Sequence, residues 1–86
     1  ARRIVFTFVG NASTEQEARA VLATWPVLTA NGLPARPEQR ANTPTQAQYG
    51  WGYSATMSIV LDTGEYNVVW QWGGNAGSCP LTVVNP

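Results

Sequence analysis

Residues 50–72 read GWGYSATMSIVLDTGEYNVVWQW, two alternating runs joined through Asp62, Thr63 and Gly64. In the first run Trp51, Tyr53, Ala55, Met57, Ile59 and Leu61 alternate with Gly52, Ser54, Thr56, Ser58, Val60 and Asp62. In the second, Tyr66, Val68, Trp70 and Trp72 alternate with Asn67, Val69 and Gln71. A period of two gives each strand one apolar face. Paired as an antiparallel hairpin, Leu61 faces Tyr66, Ile59 faces Val68, Met57 faces Trp70 and Ala55 faces Trp72, with every large apolar side chain on one side. The turn fits less well. A two-residue Thr63-Gly64 loop puts threonine where primed turns take Gly or Asn. A three-residue loop suits Gly64 but slips the register by one, which costs more than one poor turn residue. The even register is therefore expected, with a four-residue loop as its variant.

Upstream, RIVFTFV (3–9) is apolar on both faces, the pattern of a central strand covered on at least one side. Gly10 and Asn11 end it. STEQEARAVLATW (13–25) reads as a helix. Ser13 with Gln16 and Thr14 with Glu17 each have capping-box spacing, and Glu15 and Glu17 suit the first turn. Ala18, Val21, Leu22 and Trp25 make one apolar stripe, Glu15 and Arg19 can pair outside it, and Pro26 stops the helix. Val27 and Leu28 add a short strand or a last turn, with Asn31-Gly32 as a C-terminal cap. From 31 to 48 the chain holds Pro34, Pro37 and Pro44, many amides, and only Leu33 as a large apolar residue. It has no period and is expected to be an extended arm. PLTVV (80–84) supplies a last strand. The expected fold is α+β, in the order β-α-(arm)-β-β-β: a mostly antiparallel sheet of three or four strands with one helix on one face, residues 1–86 forming a single domain. The helix stripe should land near Met57, which makes Trp70 the most costly tryptophan to truncate.

The chain has 86 residues, with five cationic and five acidic side chains and no histidine. Every cation is arginine. A neutral surface lacks the footprint of a nucleic-acid or anionic-membrane binder. Without histidine or lysine there is no imidazole base, no Ser-His or Cys-His pair, no Schiff base and no P-loop lysine. One cysteine cannot form an internal disulfide, and the short apolar run after Arg2-Arg3 does not read as a signal peptide, so cytoplasm or a virion is expected over secretion. Asn11-Ala12-Ser13 fits a glycosylation acceptor but lies where a helix cap belongs.

Few side chains are left for chemistry. Cys79 is expected to be a buried, inert thiol, and GGNAGS (73–78) a flexible or bulged link without phosphate-loop spacing. Glu15 and Glu17 serve the helix, Asp62 and Glu65 flank the turn, and Arg36, Glu38 and Arg40 lie on the arm. No catalytic, cofactor-binding or metal-binding residue is expected. Trp51, Tyr53 and Trp72 lie beyond the reach of one helix, so the arm or a partner subunit should cover them. With Leu33, Arg36 and Arg40 they are the candidate interaction residues. Arg40–Ala41 is the one tryptic bond expected to be exposed and mobile. The expectation is a non-enzymatic interaction protein, a small subunit that tiles or cements a larger assembly, most concretely a virion accessory protein. It would act through a protein partner or self-assembly, without nucleic acid or membrane. A carbohydrate or small-ligand module built on Trp51, Tyr53 and Trp72, and an inhibitor or immunity-type partner protein, are the alternatives.

Overall fold

Both alternating runs are strands, but they do not pair with each other. In the computed structural model, which describes residues 1–84, the order is β1 (Arg2–Ala12), α1 (Glu15–Leu22), β2 (Val27–Ala30), β3 (Leu33–Pro34), β4 (Arg36–Arg40), β5 (Thr45–Ala47), β6 (Gly50–Leu61), β7 (Gly64–Trp72) and β8 (Asn75–Val83). One antiparallel sheet holds β1, β6 and β4, with β5 also on β6; the other runs β3-β2-β7-β8. Antiparallel sheet thus dominates, with one short helix among the described residues, an α+β composition in sheets of up to four strands.

The expected Leu61–Tyr66 hairpin is corrected accordingly. β6 pairs with β1, Ile4 opposite Ile59 and Phe6 opposite Met57, while β7 pairs with β2 and β8. Asp62 and Thr63 carry the chain from one sheet to the other, and the Tyr66 hydroxyl spans this corner to donate to the Asp62 carbonyl at 2.9 Å. The apolar faces of β6 and β7 oppose each other across a core of Leu28, Ala30, Ile59, Leu61, Val68 and Val83. Length explains the choice. An eight-residue helix spans roughly 12 Å, whereas a twelve-residue strand runs about 40 Å. One helix cannot cover a hairpin that long, but a second sheet can.

The helix forms where its N-terminal signals place it but is shorter than the expected 13–25, running from Glu15 to Leu22 with Ala23 as C-cap. Thr14 is the N-cap and accepts from the Glu17 amide at 3.2 Å, and Arg19 pairs with Glu15 at 2.8 Å. Its stripe does not land on Met57 and Trp70. Ala18 and Leu22 pack instead with Tyr53, Ala55 and Trp72, closing one end of the sandwich.

The stretch 31–48, expected as an irregular arm, carries three strands. Asn31-Gly32, both at positive φ (48° and 83°), is a two-residue turn that sets Ala30 opposite Leu33, not a helix cap. The chain then crosses between sheets at Ala35, whose amide donates to Leu28 O at 2.9 Å. β4 and β5 lie end to end along β6, β4 with a bulge between Pro37 and Gln39. GGNAGS is likewise not a loose link: Gly73-Gly74 is a second two-residue turn at positive φ, with Trp72 opposite Asn75.

Candidate interaction site along the open side of the sandwich

One side of the sandwich is crossed by the chain at Ala35, and one end is capped by the helix. The opposite side runs between β1 and β8, each the terminal strand of its sheet. Tertiary pairing therefore makes β1 an edge strand, not the central strand its sequence resembles. Arg2 Nη1 reaches across this seam to donate to Val84 O at 3.1 Å. Along it Ile4, Phe6, Phe8, Tyr66, Trp70 and Leu81 are half-buried against the core. A cavity of about 350 Å³ opens there, walled by Phe6, Phe8, Val68, Trp70 and Cys79.

The aromatic rings give the seam its shape. Phe8 meets Trp70 edge-on at 5.9 Å and Trp72 at 6.3 Å. Trp70 lies opposite Gly77 on β8, where an added Cβ would come within 2.6 Å of the indole. A side chain there would push the indole out, so Gly77 lets Trp70 lie flat along the floor. Cys79, expected to be buried, is exposed at this edge. It projects to the same side of the sheet as its β7 neighbour Val68, from the terminal strand of the sheet among the described residues.

The outer face of the β1 sheet carries one polar cluster. Buried Ser58 donates its hydroxyl to Glu38 Oε1, and Arg3 Nη2 stands 3.0 Å from the same oxygen. The Ser58 hydrogen bond, and then Arg3, hold the Glu38 carboxyl below its usual range. The bulge turns Glu38 onto Ser58 while the Gln39 amide bonds Thr56 Oγ1 at 3.1 Å, and the cluster ties β1, β6 and β4 together.

The structure separates the interaction residues expected from sequence. Tyr53 and Trp72 are buried (5% and 6% exposed) under the helix, meeting edge-on at 5.0 Å, and Trp51 is half-buried beside them. They form core and not an open platform. Arg40 stacks on Trp25 at 4.5 Å and donates to Thr24 O at 3.2 Å. Arg36 is exposed on β4, and Leu33 is exposed on β3, far along the chain from the seam. Sequence reading passed over Phe6, Phe8, Trp70 and Cys79 as core. The signal was present in β1, whose two apolar faces call for neighbours that this chain supplies on one side only.

Fold and seam together define a small antiparallel two-sheet sandwich, capped at one end by a helix and open along one side. Compared with known protein families, curated proteins and solved structures, the chain matches none.

Proposed function

We propose that this protein is a non-enzymatic subunit of a larger protein assembly and joins its neighbours through the open side of the sandwich. The observation that carries this reading is the half-buried aromatic seam of Phe6, Phe8 and Trp70 between two terminal strands. Apolar area beside unpaired backbone is the usual mark of a protein-binding edge. The test uses light scattering over a wide concentration range together with maleimide labelling of Cys79. Mass should rise with concentration while labelling slows as the seam is covered. A strict monomer at every concentration, labelled at a constant rate, overturns the reading.

A small-ligand reading draws on a second notch of about 400 Å³ at the helix end, where Trp25 and Trp72 meet Gln71 and Asn75. Indoles beside amides suit a sugar. It is the weaker reading, because Arg40 covers a face of Trp25 and the Trp72 Nε1 is engaged by Thr24. A shift of tryptophan emission on titration with simple glycans would favour it.

A further inference from the structure

The terminal strands of the two sheets are not equally guarded. Native sheets blunt their edges with short strands, prolines, bulges and charges, because a free row of backbone groups invites another chain. β3 is two residues long and ends in Pro34. β4 carries Pro37, a bulge, and arginine at both ends, and β5 is three residues long. β8 has Pro80 in its middle. β1 has none of these devices from Ile4 to Ala12: it is eleven residues long, in unbroken register with β6, without proline or charge beyond Arg2 and Arg3. Its outer-face valines are exposed, Val5 at 48% and Val9 at 80%. It has the composition of an interior strand at an edge position.

We infer that β1 pairs antiparallel with β1 of a second copy, about a two-fold axis at Thr7, so that two sheets become one continuous sheet. This rests on the assembly reading and names its surface, partner and register. A two-fold perpendicular to the sheet keeps each face on its own side, so outer residues meet outer residues. Centring on Thr7 sets Val5 opposite Val9 of the second copy and Phe6 opposite its Phe8, twice each. Arg3 then faces Asn11 of the second copy, so no like charges meet. Centring on Phe6 sets Arg3 against Val9, and centring on Phe8 sets Val5 against Asn11. Only the Thr7 register pairs every valine with a valine and every phenylalanine with a phenylalanine, and self-complementarity of this kind favours a second copy over an unrelated strand.

Sedimentation equilibrium on three variants tests it. Val5→Lys/Val9→Lys places like charges opposite each other at two positions and should weaken the dimer about tenfold or more. Val5→Lys/Val9→Glu places opposite charges at the same positions and should keep the dimer. Because both variants alter the same two outward-facing sites, a loss confined to the first is a pairing effect and not a folding failure. Thr7→Lys, which brings like charges together at the axis, should also weaken it, with circular dichroism confirming an unchanged monomer. If the wild type self-associates and all three variants do so equally, β1 is not the pairing surface and this inference falls, while slowing of Cys79 labelling on association keeps the assembly reading. A wild type that stays monomeric overturns both.

Discussion

The Nε1 of Trp72 donates to Thr24, at 3.0 Å to the hydroxyl, while its ring meets Tyr53 and Phe8 edge-on. Trp70, two residues earlier, points to the same face but is half-buried along the open seam. Truncation cost follows burial and lost contacts, so Trp72 replaces Trp70 as the costly position. Trp72→Ala should cost about 3–5 kcal/mol, a large share of the stability of a small domain, and Trp70→Ala distinctly less. Urea unfolding of the two variants checks the order, and a larger loss for Trp70→Ala would contradict this packing. Glu38 gives a residue-level prediction in pH. Its carboxyl lies below the usual value in the folded state, through Ser58 first and Arg3 second. Such a group stabilises the fold above the unfolded value, and that contribution fades as pH falls through the folded one. The melting temperature of wild type should exceed that of Glu38→Gln at neutral pH, with the gap closing as pH drops below 4.5, the ordinary value for this carboxyl. A gap unchanged down to acid pH would show that the ionised carboxylate contributes nothing.

Elements differ in how far local chemistry determines them. α1 was legible at its start, because its cap and ion pair act within a turn of chain, but not at its end: it stops at Leu22, with Ala23 as C-cap, short of the Trp25-Pro26 stop read from sequence. The alternation of β6 and β7 was equally plain. Residues 31–48 were not, since β3, β4 and β5 are short edge strands, the latter two polar, whose pairing is dictated by β2 and β6. Three prolines and a bulge erase any period there. The two-residue Asn31-Gly32 turn was the missed sign: Asn31 both adopts positive φ and clamps β7, accepting from the Asn67 amide at 2.8 Å. The order of this stretch changes the expectation for proteolysis. Arg40 ends β4 with its guanidinium on Trp25, and the next amide, Ala41, donates to Ser54 O at 3.2 Å. Trypsin should leave Arg40–Ala41 intact in the native protein and cut it once urea unfolds the chain. Rapid native cleavage at that bond would mean β4 is not held on β6.

At the scale of the whole molecule, the described chain extends 42 × 21 × 19 Å, drawn out along its long strands, with one end capped and one side open. The amino-acid sequence by itself determined where the helix lies, which residues of each long strand are apolar, and that histidine and lysine chemistry is absent. Periodicity reports which face of a strand seeks cover, a property of single residues and their neighbours in the chain. It does not report what provides the cover. The same alternation in 50–72 serves a hairpin with one shared apolar face or an arch with two apolar faces opposed, and the awkward Thr63-Gly64 turn was the only local hint between them. Tertiary structure decided for the arch, because the apolar area on β6 and β7 exceeds what one short helix can bury. That decision placed β1 beside β6, left its far edge without a neighbour, and set Phe6, Phe8, Trp70 and Cys79 along one seam. Residues more than sixty positions apart come together there through sheet pairing, a long-range interaction that no short window of sequence contains.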